Sequence, residues 1–120
     1  MDSFHKKKQG QLGEDLAAKH LLKNGYTIKS KNWRYNPYEI DLIALKEGVY
    51  VFVEVKLREN NDLLDLWETV SKGQQQRVVC AAHEYLLMND IDCESRFDII
   101  GIKITHGKIA LEHYEDAFYA

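Results

Sequence analysis

The chain has little of what staples, kinks or anchors a protein. Its 120 residues include two cysteines, one proline and seven scattered glycines. Two cysteines make no disulfide framework, and the separation of Cys80 from Cys93 matches no metal-ligand spacing. Cys80 falls in an apolar helical pattern and is expected as a buried thiol. There is little material for a linker or a disordered tail. No apolar run approaches the length needed to span a membrane. The basic run Lys6-Lys7-Lys8 is not followed by the apolar stretch of a signal peptide. A reducing cytoplasm is the expected compartment. Positive charge is also short, with 16 Lys and Arg against 19 Asp and Glu and a net charge of −3. Taken as a sum, this argues against nucleic acid, whose binding is driven by phosphate neutralisation. The sum hides local clusters: Lys29, Lys31 and Arg34, then Lys56 and Arg58. The acids gather elsewhere, from Glu59 to Glu68 and after Glu112. Lys29, Lys31, Arg34 and Arg58 are the candidate nucleic-acid contacts, although a solvated face carries such clusters equally well.

What is present fits one domain spanning residues 1–120. Hydrophobic residues make up 45% and charged residues 29%, an ordinary globular balance. Gln11 to Asn24 is helical in pattern, with Ala17, Ala18, Leu21 and Leu22 on one face and Gly25 as the stop. Tyr26 to Ser30 alternates as a short strand, and Asn36-Pro37 marks a turn. Strands are predicted over Glu39 to Leu45 and Val49 to Leu57, joined tightly through Lys46-Glu47-Gly48. A polar stretch around Asn60-Asn61-Asp62 leads to a second helix from roughly Leu66 to Met88. Its apolar face runs through Val70, Val78, Ala81, Ala82 and Tyr85. Phe97 to Ile104 and Lys108 to His113 are the last strands, turned at His106-Gly107. This order predicts an α/β fold, a mixed sheet with helices packed on it.

The hairpin carries the chemistry. If its loop holds an even number of residues, Asp41 faces Glu54 and Glu39 faces Lys56. Opposed residues share a face of the sheet, with Cβ atoms about 5 Å apart. An odd loop breaks the arrangement. Two opposed carboxylates repel, and that is compensated by a shared proton or by a divalent cation such as magnesium. Lys56 is placed to neutralise an anion or to orient an attacking water. Glu14, at helical spacing from Ala17, Ala18 and Leu21, points toward the apolar face, as Gln74 does in the second helix. Buried polar groups need partners, and a shared metal site gives Glu14 one. A plainer arrangement satisfies the same spacing: Glu54 and Lys56 as a solvated pair, Asp41 as an edge charge, Glu14 as a first-turn acid. His5, His20, His83, His106 and His113 show no ligand spacing and read as surface or incidental residues.

Longer motifs add to this. Glu39-Ile40-Asp41-Leu42-Ile43-Ala44 followed by Val51-Phe52-Val53-Glu54-Val55-Lys56 resembles the signature of the UPF0102 (YraN-like) family. Gly13-Glu14-Asp15-Leu16-Ala17, Gly25-Tyr26, Asn32-Trp33-Arg34, Arg77 to Ala82 and Arg96-Phe97-Asp98 fit as well, so the resemblance runs from about Gly10 to Phe118. That family is similar to archaeal Holliday-junction resolvases of the PD-(D/E)XK nuclease-like superfamily. The resemblance implies a restriction-endonuclease-like αβββαβ core. It implies magnesium or manganese held by Asp41, Glu54 and the Val55 carbonyl. It implies that Lys56 contacts the attacking water or scissile phosphate, and that Glu14 joins from the first helix. Two positions depart from the usual pattern. Tyr38 stands where a glycine usually precedes the Glu39 motif, and Gln74 stands where the second helix often has a lysine.

The expectation is therefore a metal-dependent DNA endonuclease acting on branched or repair-intermediate DNA, with roles in repair or recombination. Its catalytic set is Glu14, Asp41, Glu54, Lys56 and Gln74. A homodimer follows by analogy with the resolvases. The alternative is a non-catalytic nucleic-acid-binding or adaptor module on the same fold.

Overall fold

A computed structural model of the chain describes residues 3–59 and 70–120. Helix α1 spans Ser3–Lys23, strand β1 Thr27–Tyr35, β2 Tyr38–Lys46 and β3 Val49–Glu59. Helix α2 spans Lys72–Met88, β4 Glu94–Thr105 and β5 Lys108–Phe118. The strands form one five-stranded sheet in the order β1-β2-β3-β4-β5. Neighbours are antiparallel except β3 and β4. A parallel pair needs a crossover, and α2 lies in the connection between those two strands. The fold is the α/β class expected, compatible with a nuclease-like core. Among the described residues no helix is long and apolar enough to cross a membrane.

The helices cover opposite faces of the sheet. Ala17, Ala18 and Leu21 of α1 pack with Leu42, Ala44, Val51, Val53, Ile100 and Ile102. Val78, Ala81, Ala82 and Tyr85 of α2 pack with Ile43, Phe52, Phe97, Ile99 and Phe118. Strand β3 is thus buried on both sides, which is why it reads as an almost continuous apolar run. Gly13 brings α1 close: a Cβ there would meet Val55 Cγ1 and Leu57 Cβ, each at 3.4 Å.

The β2–β3 and β4–β5 hairpins each use a two-residue turn. Lys46 pairs with Val49 and Thr105 with Lys108. The turn residues all have positive φ: 51° and 78° at Glu47 and Gly48, 50° and 77° at His106 and Gly107. Left-handed backbone at both positions suits the twist of the flanking strands. The even loop at Glu47-Gly48 meets the condition set by the sequence.

Several boundaries differ from expectation. Helix α1 starts at Ser3, so Lys6 to Lys8 lie within it. Leu22 is 59% exposed and does not join the core. Strand β1 runs on to Tyr35, because a register shift between Ile28 and Ser30 interrupts its alternation. Helix α2 starts at Lys72, with Ser71 as its N-cap, so Val70 is buried ahead of the helix. Cys80 is half-buried, not enclosed, and Cys93 is exposed. The polar stretch Asn60-Asn61-Asp62, most of the acidic stretch to Glu68 and the predicted helix start at Leu66 lie outside the described residues.

Candidate active site

The β2–β3 ladder runs from Lys46 opposite Val49 to Leu42 opposite Val53 and goes no further. One step beyond stand Asp41 and Glu54. The pairings expected of Asp41 with Glu54 and of Glu39 with Lys56 are therefore both absent from the ladder. In place of a main-chain partner, Asp41 Oδ2 accepts the Val55 N–H at 2.8 Å. Asp41 and Glu54 line one cavity of about 220 Å³, together with Tyr38, Glu39, Gln74 and Arg77. This is the face covered by α2.

Gln74 ties the site together. Its Nε2 donates to Glu54 Oε2 at 2.9 Å, and its Oε1 accepts from Lys56 Nζ at 3.2 Å. An amide has a donor end and an acceptor end, so it bridges a carboxylate and an ammonium that a lysine would not. Gln74 is positioned by the start of α2, where its own N–H donates to Ser71 Oγ at 3.1 Å. Glu54 is 4% exposed. Its second oxygen, Oε1, is buried with no hydrogen-bond partner.

Burial and the neighbouring Asp41 charge push the Glu54 carboxyl far above the ordinary carboxylate range, against the pull of Lys56 and Gln74. Asp41 is also raised, first by burial and then by the charges of Glu14 and Glu39, while the Val55 amide and Lys56 oppose the rise. A raised carboxyl contributes stability at low pH that is lost as pH climbs through its folded value. For Glu54 that window runs from its ordinary 4.5 to about 8. Glu54→Gln should therefore stabilise the metal-free protein by roughly 4 kcal/mol at pH 8 and by less than about 1 kcal/mol at pH 5. Urea unfolding of both proteins in a chelator, at the two pH values, measures the difference.

The remaining expected residues lie around this centre. Glu14 belongs to the helix on the other face and lines a neighbouring cavity of about 560 Å³ with Lys31, Asn32, Arg34 and Glu39. Glu39 lines both cavities. Glu14 Oε2 accepts from Asn32 Nδ2 at 2.8 Å, and burial raises its carboxyl. Glu14 thus reaches Asp41 by charge, not by contact. Arg34 lies 3.8 Å from Glu39 in an exposed ion pair. Lys29 and Arg58 line neither cavity, and Arg58 donates to the Leu57 carbonyl. Two residues at the site carried no role in the sequence reading. Asn32 has a positive φ of 51°, between Lys31 and Trp33, which pair with Leu42 and Ile40 on either side of Asp41. Arg77 is the cation of the acidic cavity.

Two histidines are not incidental. His113 Nε2 meets Asp98 Oδ2 at 2.7 Å, and its Nδ1 meets His20 Nε2 at 3.0 Å. Arg96 grips Asp98 with two bonds of 2.8 Å and donates to Tyr26 OH at 2.6 Å. The Asp116 amide donates to Asp98 Oδ1 at 3.1 Å. Burial pushes the Asp98 carboxyl up, but the bonds from His113 and Arg96 outweigh it and hold the group below its ordinary value. Burial, then His113 and Lys23, lower His20. This cluster ties α1 and Tyr26, just ahead of β1, to β4 and β5, with Asp98 opposite Val53 of β3.

Fold and site define an α/β protein whose mixed sheet carries an acidic pair, Glu54 buried and Asp41 half-buried, where two strands part. The sequence profile of the uncharacterised protein family UPF0102 matches residues 13–102, and the chain belongs to that family. It is 44% identical over 110 residues to a UPF0102 protein of Flavobacterium psychrophilum, covering 92% of each chain. A UPF0102 protein of Parabacteroides distasonis is 39% identical over 111 residues, again 92% of each. One from Shewanella amazonensis is 45% identical over 109 residues, 91% of this chain and 97% of the relative.

Proposed function

We propose that this protein is a magnesium- or manganese-dependent DNA endonuclease that hydrolyses phosphodiester bonds at the Asp41–Glu54 pair. The observation that carries this reading is Glu54 Oε1, a buried carboxylate oxygen with no partner, in the same cavity as a second carboxylate. A buried polar atom left unpaired is costly, and a cation there removes both that cost and the repulsion within the pair. Among the described residues no three Asp, Glu, His or Cys side chains gather into a ligand set. Two carboxylates supplemented by main-chain oxygen and water are a set that magnesium accepts. Asp41 and Glu54 hold the ion in this reading, with the Val55 carbonyl as a further oxygen. When bound, such an ion activates water at neutral pH and stabilises charge on the phosphate.

The chain's own groups do the rest. Gln74 holds Glu54 Oε2 and leaves Oε1 to the ion. It also steadies the Lys56 ammonium, which offers a proton donor and positive charge to the water or the phosphate. Arg77 supplies positive charge from the cavity wall itself. Lys31 and Arg34, one cavity away, receive the flanking phosphates.

Calorimetric titration with each ion at pH 8 tests the reading. Wild type should bind the ion and release protons, because the raised carboxyls must ionise to coordinate. The heat then varies with the ionisation enthalpy of the buffer. Absence of binding in wild type, or equal binding by Glu54→Gln, overturns the metal site. Binding of DNA without any such uptake makes the non-catalytic module the better account.

A further inference from the structure

Beside the acidic cavity is a second, apolar one. It has a volume of about 410 Å³ and is lined by Tyr35, Tyr38, Val79, Cys80, His83 and the charged Glu84. Tyr38 lines both cavities. It pairs directly with Tyr35 across the β1–β2 turn, so two tyrosines flank one end of the cavity. Tyr35 is 40% exposed. Its ring lies parallel to that of Trp33, 7° apart in plane with centroids 6.2 Å apart. Trp33 is fixed from below by an edge-on contact with Tyr85 at 5.3 Å. Tyr35 is thus the outer member of an aromatic stack anchored in the core.

We infer that this cavity receives one unpaired nucleobase of a DNA strand whose backbone passes the acidic pair. The inference rests on the nuclease reading and names the substrate class for it. A largely apolar space with an anchored aromatic ring at its edge suits the face of a base. Stacking on aromatic side chains is how proteins hold unpaired nucleotides. A base in a duplex has both faces covered by its neighbours, so only a base outside the stack enters such a space. Continuity through Tyr38 sets the direction. A base seated against Tyr35 has its phosphate directed toward Arg77 and Asp41, because one sugar joins base to phosphate. Tyr38 is the shared wall and belongs to the binding surface. The preferred substrate is accordingly a single strand, overhang or flap, not a continuous duplex.

The test uses a short DNA strand carrying 2-aminopurine at one position, alone and within a perfect duplex. Wild type, Tyr35→Ala and Tyr35→Phe are compared with calcium present. The wild-type protein should bind the single strand more tightly than the duplex and quench the 2-aminopurine fluorescence. Tyr35→Ala should lose the quenching and weaken single-strand binding about tenfold, since a stacked base is worth about 1–3 kcal/mol. Its duplex affinity should not change, and Tyr35→Phe should behave as wild type. Thermal unfolding of each variant controls for folding. Equal single-strand binding by wild type and Tyr35→Ala, or a wild-type preference for duplex, overturns the slot. If that result comes with Glu54-dependent uptake of magnesium, the nuclease reading survives it. If wild type binds no DNA, both fall. Tyr35-dependent binding without magnesium uptake keeps the slot and removes the catalysis.

Discussion

Asp41→Asn should lower DNA cleavage in magnesium or manganese by about a thousandfold, which corresponds to about 4 kcal/mol of lost charge stabilisation. The substitution keeps the size of the side chain and its carbonyl oxygen. The bond from the Val55 N–H (2.8 Å in wild type) therefore has an acceptor still, and the fold should persist. Without metal the variant should be the more stable protein near pH 8, because a charge that raises Glu54 has been removed. DNA binding should hold within a few-fold, since positioning contacts to phosphate lie on other side chains. The measurement is single-turnover cleavage of matched single-stranded, flapped and duplex DNA, wild type beside variant. Equal cutting by both proteins would assign the activity to a contaminant.

Asp98→Ala should destabilise the protein by about 3–5 kcal/mol, the cost of removing one partner from a buried ion pair. Asp98 is 0% exposed and receives Arg96, His113 and the Asp116 amide. Truncation leaves three donors facing an apolar space. The pH dependence should change as well. A lowered carboxyl contributes stability above the ordinary carboxylate range and loses it as pH falls through its folded value. His20, lowered from 6.5, also costs stability as acid forces a proton onto it. Wild type should therefore weaken on the acid side through this cluster, and Asp98→Ala should show a flatter acid limb. Urea unfolding from pH 7.5 down to pH 2.5 follows both effects, the His20 loss as pH falls through and below 6.5 and the Asp98 loss below 3.8. A loss below 1 kcal/mol at pH 7.5 would mean that the cluster pins nothing.

The acidic pair was legible because a strand has a period of two and the turn has two residues, so loop parity places Asp41 and Glu54 on one face. Periodicity puts the start of α2 too early, at Leu66, because apolar residues run on ahead of it; the spacing of Ser71 and Gln74, that of a capping box, marks the observed start. Strand β1 read short because it is an edge strand with a bulge, where neither face imposes a clean alternation. Helical spacing gave the direction in which Glu14 points but not the face of the sheet that α1 covers. The Asp98 cluster carried no local signal. His20 and His113 are 93 positions apart, and only the closing of β5 beside α1 brings them together.

The bond between Asp41 and Val55 has a practical consequence. Most strand amides are shielded by the carbonyl of a neighbouring strand, which is neutral and fixed. The Val55 amide is shielded by a carboxylate whose charge changes with every event at the site. In the proposed reading, protonation, ion binding and substrate entry are all reported by one main-chain proton, through its NMR chemical shift and its rate of hydrogen exchange. The protein carries a native single-atom probe at the point where two strands separate.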